Sequence, residues 1–323
     1  MTARPPFDPE IAQVLETRDD VVTALLPDGI DELRARAIRP SDAEITLDGL
    51  LELSEHTAPG PDGNDVGILL LRPRHADAAM PVLYHVHGGG LVVGTPYDDL
   101  PALAALAHET GLALASVDYR LAPGHRYPAA VEDVYAGVVW LVANAARLGL
   151  DRNRIIITGV SAGGGLAAAA ALLARDRRAP ELYAQMLLCP MLDDRNDSDS
   201  AVQMAGVGAW DRTANRTAWA AYLGDPHPDV PIYAAPARAT DLSGLPPTFI
   251  DVGSAETFRS ENIAYAQRLW ADGGEADLHV WAGGPHGFDA LAPSSHLARE
   301  ARTTRAQWLL RILARGGGSR SAG

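Results

Sequence analysis

Cysteine is almost missing from this 323-residue chain, which carries one, Cys189. A single thiol cannot close an internal disulfide, and its apolar setting, Met186-Leu187-Leu188-Cys189-Pro190, reads as a buried inert thiol rather than a nucleophile. Positive charge is also short: 27 Lys plus Arg face 41 Asp plus Glu, a formal charge of -14. Such a surface repels phosphate backbones and anionic lipids, so neither nucleic acid nor a membrane is an expected partner. The chain has no uninterrupted apolar window of about 18 residues, and no signal-like apolar stretch over Met1 to Asp8, so a cytoplasmic protein is expected. Internal repeats are absent too. What remains, 47% hydrophobic and 21% charged residues, is the composition of a globular protein. The length allows one large α/β domain with an insertion, or two ordinary domains.

Asp8-Pro9-Glu10 starts a helix carrying Ile11, Val14 and Leu15 on one face, and a second helix runs through Ile30, Leu33 and Ala37 to a stop before Pro40. Strands are expected over 44–53 and 66–71, joined by the turn-rich stretch 58–64 as an antiparallel hairpin. From Met80 apolar strands alternate with helices, the pattern of a mostly parallel sheet covered on both faces. The expected strands are 82–87, 112–117, 155–160, 184–188, 248–252 and 276–281. The expected helices are 101–110, 129–148, 162–174, 258–271 and 295–314. The segment 193–236 breaks the alternation with a polar opening, Trp210, Trp219 and several prolines. It reads as a helical cap over the carboxyl ends of the strands, the alternative being a plain surface excursion. The resulting division is 1–42 cap helices, 43–192 first part of the core, 193–236 cap insertion, 237–315 second part of the core and 316–323 a frayed tail.

The chemistry centres on Ile155-Ile156-Ile157-Thr158-Gly159-Val160-Ser161-Ala162-Gly163-Gly164-Gly165, a β-branched run, a tight turn and a helix start. Glycines two places either side of Ser161 leave room for a sharp strand-to-helix elbow that exposes the hydroxyl. The alternative is that the small residues only line a close strand–helix contact. A serine nucleophile needs an imidazole to take its proton and a carboxylate to orient that imidazole. His286, in Gly284-Pro285-His286-Gly287 past the last strand, emerges at the same sheet edge. Glu256, just past the strand 248–252, is the preferred acid. Asp251 is its rival but sits within a strand, and Asp289 is too close in sequence to His286. His87-Gly88-Gly89-Gly90 follows a strand and leaves backbone N–H groups unshielded, so Gly88 and Gly89, with Ala162 as a third donor, are assigned to a developing oxyanion. A phosphate cradle lacks the G-x-G-x-x-G spacing and the P-loop lysine. His85 and His87 lack a third metal ligand at sensible spacing, so no metal is expected.

With His87-Gly88-Gly89-Gly90, Gly159-Val160-Ser161-Ala162-Gly163-Gly164 and His286-Gly287-Phe288 in one chain, the sequence resembles the hormone-sensitive lipase family of α/β-hydrolases. The resemblance runs from about Pro81 to Phe288 and includes Asp118-Tyr119-Arg120-Leu121-Ala122-Pro123, whose first three residues are taken as structural. It implies an eight-stranded sheet, a helical cap and a bacterial carboxylesterase acting on small-molecule esters without a cofactor. Three positions depart from the family pattern. Val160 stands where aspartate or threonine is usual, Glu256 where the acid is usually aspartate, and Gly124 where glutamate is common. The expected activity is hydrolysis of short- to medium-chain acyl esters through an acyl enzyme, with Ser161, Glu256 and His286 catalytic. Amide, carbamate or lactone hydrolysis, acyl transfer, and a non-catalytic ligand-binding role are the alternatives. Leu91 and Trp210, with Val92 and Trp219, are candidate pocket residues or simple packing. The oligomeric state is open between a monomer and a homodimer.

Overall fold

The turn-rich stretch between two apolar runs folds as a hairpin of β1 (Leu51–Pro59) and β2 (Asp65–Pro73), paired antiparallel from Leu51 opposite Pro73 to Pro59 opposite Asp65. It forms one edge of a single sheet in the computed structural model, which describes residues 3–75, 78–224 and 229–315. The remaining strands are β3 (Met80–Val86), β4 (Ala113–Asp118), β5 (Leu150–Val160), β6 (Ala184–Leu188), β7 (Thr248–Gly253) and β8 (Ala276–Trp281). The sheet order is β1-β2-β4-β3-β5-β6-β7-β8, antiparallel from β1 to β4 and parallel from there on. Chain direction across the sheet reverses at β3, which has β4 on one side and β5 on the other. Loops leaving β3 and β5 therefore face each other across a crevice at the carboxyl edge, where open α/β sheets hold their ligands.

Side chains alternate faces along each strand, and the two faces build two cores. Ile155 and Ile157 point into the larger, with Val82, Tyr84 and Leu187; Ile156 points into the other, with Leu83, Met186 and Leu188. The helices, in chain order, are α1 (Pro9–Thr17), α2 (Ile30–Ala35), α3 (Asp42–Thr46), α4 (Leu100–Thr110), α5 (Ala129–Leu148), α6 (Ala162–Arg177), α7 (Asp199–Gln203), α8 (Arg212–Leu223), α9 (Arg259–Ala271), α10 (Phe288–Leu291) and α11 (His296–Ala314). Helices α5, α6 and α9 cover the larger core, while α4 and α11 cover the other. Helix α5 is long and apolar enough to cross a membrane, yet its Val131, Val134, Val138 and Leu141 are buried in the larger core.

One expected element differs. The strand foreseen over 44–53 begins only at Leu51, because Ser41 and Glu44 close a capping box that starts α3 and Leu47 ends it in the left-handed region at φ 51°. A local pair of side-chain to backbone bonds outweighs the strand propensity of Ile45 and Thr46. The expected tail at 316–323 lies outside the described residues.

The N-terminal segment and the insertion between β6 and β7 are fastened together. Trp210 and Asp211 N–H donate to the carbonyls of Val22 and Thr23 (2.8 and 2.7 Å), and the Thr217 hydroxyl donates to Leu25 O (2.7 Å). Arg34 on α2 donates to Val92 O (2.8 Å) and Ala122 O (2.7 Å), beside the loop that follows β3. Asp8 N–H donates to Gly283 O (3.0 Å), so the start of α1 braces the loop leading to His286.

Candidate active site

Ser161 occupies the turn between β5 and α6 at φ 57°, ψ -119°, a conformation disfavoured for a residue with a side chain. The surrounding glycines are what tolerate it. A Cβ on Gly159 would lie 2.2 Å from Gly163 O, and one on Gly163 would lie 2.0 Å from Val86 O. Ser161 N–H donates to Leu188 O (2.8 Å), and Ser161 O accepts from Met191 N–H (2.9 Å), tying the turn to the end of β6. The backbone is thereby held on both sides and the hydroxyl stands clear.

His286 Nε2 lies 2.9 Å from Ser161 Oγ, and His286 Nδ1 lies 3.1 Å from Glu256 Oε1. Glu256 is 1% exposed and its other oxygen accepts Gly253 N–H at 3.0 Å. The Phe258 ring meets the imidazole edge-on, centroids 5.0 Å apart, which fixes the ring from the side. The three residues expected to act together are thus in hydrogen-bonding line. The rival acids are engaged elsewhere: Arg305 of α11 donates to Asp251 at 2.7 Å and also to Asp289.

Gly88 lies beside the elbow, since a Cβ there would come 3.6 Å from Ser161 Cβ and 3.1 Å from Val160 O. Gly89 has φ 106° and a Cβ would collide with Val93 O at 2.1 Å. Among the described residues the N–H groups of Gly88, Gly89 and Ala162 have no acceptor, and Ala162 opens a helix whose first N–H groups are free by construction. The loop is pinned from behind: Tyr119 OH donates to His87 O (2.8 Å), the Tyr119 and His87 rings stack at 4.1 Å, and His87 Nδ1 bonds Gly88 O (2.8 Å). Arg120 makes a two-pronged pair with buried Asp133 at 2.7 and 2.8 Å, so Tyr119 and Arg120 do have the structural roles expected of them.

Burial pushes the His87 ring down to about 4 and that of His85 down to about 3, which keeps both neutral at neutral pH. Cys189 is likewise buried, and desolvation with the negative charge of Glu256 pushes its thiol well above the ordinary range. Its sulfur, a Glu256 oxygen and a His286 nitrogen lie within 4.8 Å of one another. The last two are already bonded to each other, and a protonated thiol is a poor ligand.

A pocket of about 490 Å³ opens over Ser161 and His286, walled by Gly88 to Gly90, Val160 and Trp210. Trp210 is the expected pocket residue that reaches it; a Cβ on Gly90 would strike the indole at 2.1 Å, so glycine there makes room for the ring. Leu91 does not line the pocket. Its backbone turns at φ 67° and sends the side chain, 3% exposed, into the larger core with Val92 and Trp219. Ile38, Pro40, Tyr97, Asp98 and Asp99 complete the wall and were not foreseen. The consecutive acids Asp98-Asp99 before an apolar helix were the one signal for the last two of them. Two further carriers of the site were also missed. Glu261 accepts N–H bonds from Leu192 (2.7 Å) and Asp193 (3.2 Å), and Asn262 donates to Pro190 O (2.6 Å), which together fix the loop after β6.

Comparison with known proteins agrees with this geometry. A family described as "alpha/beta hydrolase fold" matches residues 83–290. The chain is 35% identical over 304 residues to carboxylesterase NlhH of Mycobacterium tuberculosis, covering 93% of this chain and 94% of that one. It is 32% identical to esterase LipI of the same organism, over 97% of each. Among solved structures, a bacterial heroin esterase superposes with a TM-score of 0.87 at 37% identity, over 95% of this chain and 98% of that one. Sheet order, elbow and relatives converge: the chain belongs to the α/β-hydrolase fold family, among its hormone-sensitive-lipase-like carboxylic ester hydrolases.

Proposed function

We propose that this protein is a serine carboxylesterase that hydrolyses short- to medium-chain acyl esters through an acyl enzyme. The observation that carries the reading is the continuous line from Ser161 Oγ to His286 Nε2 (2.9 Å) and from His286 Nδ1 to Glu256 (3.1 Å). Neutral His286 accepts the Ser161 proton as Oγ attacks the ester carbon, and Glu256 holds the Nδ1–H tautomer and stabilises the imidazolium. The carbonyl oxygen gathers charge in front of the N–H groups of Gly88, Gly89 and Ala162, each worth about 3 kcal/mol of barrier in such sites. The imidazolium then protonates the departing alcohol, and water repeats the sequence on the acyl enzyme to release the acid and restore Ser161. No step calls for a metal or an organic cofactor.

Ser161→Ala is expected to abolish hydrolysis of p-nitrophenyl acetate and butyrate while leaving the circular-dichroism spectrum intact. Turnover surviving that change would remove the mechanism. The same machinery could serve an amide, carbamate or lactone bond, and paired ester and amide analogues separate those readings. A ligand-binding protein without catalysis predicts a broken triad, whereas an intact one should be labelled at Ser161 by a fluorophosphonate.

A further inference from the structure

Behind the triad lies a second cavity of about 400 Å³, between α4 and α11. It shares two walls with the catalytic pocket, Val160 and Asp99. Its inner end is buried, apolar where Leu103, Leu106, Leu188 and Cys189 line it and polar where the Arg305–Asp289 ion pair does. Its outer end is bounded by exposed residues, among them Ala102 and Ala105 of α4 and Arg299 of α11. Cys189 brings this cavity up to the rear of the reacting groups, its sulfur within 4.8 Å of donors on His286 and Glu256.

We propose that this cavity is a subsite for an apolar chain carried by the ester, and that Val160 is the residue that opens it to the catalytic serine. The proposal rests on the ester-hydrolase reading and adds where the chain goes. At the position before the nucleophile a polar side chain would need a partner on this wall, and a valine instead continues the apolar surface from the serine to Leu103 and Leu188. The polar group on the shared wall is Asp99, which has no side-chain hydrogen bond among the described residues. Burial, with the negative charges of Asp289 and Asp98, lifts its carboxyl to about 7, so at and below neutrality much of it is uncharged and does not oppose an apolar chain. At roughly 30 Å³ for each water-sized group, a cavity of about 400 Å³ holds about thirteen such groups, more than an unbranched chain of about eight carbons needs.

The chain could come from either limb of the ester, and two substrate series tell them apart. One varies the acyl group of p-nitrophenyl esters from acetate to octanoate. The other varies the alcohol of alkyl acetates from ethyl to octyl. Ala102→Trp and Ala105→Trp place bulk in the cavity from exposed positions on α4, where folding is not at stake, and melting curves verify this. Either substitution is expected to lower the octyl-to-short ratio of kcat/KM about tenfold in one series, and the series affected names the limb. Val160→Thr should lower the same ratio in the same series. Ratios unchanged by both tryptophans, in a parent that turns over both series, would overturn the subsite and leave the esterase reading standing. A parent that hydrolyses no member of either series would remove the esterase reading itself, and the subsite with it.

Discussion

Two carboxylates leave the same strand for different work. Asp251, within β7, is held by Arg305 and by the Trp281 indole N–H (3.3 Å); Glu256, just beyond it, faces His286. Glu256→Gln keeps the shape but can leave the imidazole in the wrong tautomer, so kcat should fall by about 10³ to 10⁴, measured with p-nitrophenyl acetate. Asp251→Asn should instead lower the melting temperature, because Arg305 keeps only Asp289; breaking such a buried pair costs about 3 kcal/mol. The choice between these acids could not be closed from sequence. Arg305, the residue that decides it, lies on the last helix, and its pairing is a fact of tertiary structure. Leu91, open in the sequence between pocket residue and packing, is packing: its backbone stands at positive φ and its side chain is buried in the larger core.

At the scale of single elements, the elbow was the most legible feature, because its glycines are demanded by contacts a few residues away. Gly163→Ala sets a Cβ 2.0 Å from Val86 O, where rigid β3 cannot yield, so the elbow must shift. Displacements of about 1 Å at a nucleophile cost on the order of 10² in rate. Kinetics on Gly163→Ala, with the fold verified by its spectrum, tests this. The strands and helices of the parallel part could be read because buried strands announce themselves as short apolar runs between turn residues, although β5 begins at Leu150, ahead of the expected run from Ile155. Helix α3 was hidden: its capping box is written in Ser41 and Glu44, but the apolar periodicity of the following strand spoke louder. The second cavity was not readable at all, since its walls come from α4, α10, α11 and the ends of β5 and β6, elements brought together only by folding.

Across the whole molecule, two buried histidines couple stability to acidity. His85 and His87 resist protonation until about pH 3 and about pH 4, while in an unfolded chain both rings titrate near the ordinary value of 6.5. Between those limits the unfolded state binds more protons, so acidification favours it, by up to about 1.4 kcal/mol per pH unit for each ring. The melting temperature should therefore drop between pH 7 and pH 5, and His85→Leu should lessen that drop; an unaltered slope would mean His85 is not the titrating group. The bond between Asp8 N–H and Gly283 O, together with the one from His296 N–H to Glu10 (2.8 Å), fastens the earliest part of the chain to its closing quarter around His286. Because Asp8 and Glu10 grip the chain on either side of His286, at Gly283 and His296, whatever loosens α1 slackens the mounting of the imidazole while the elbow that presents Ser161 keeps its own supports.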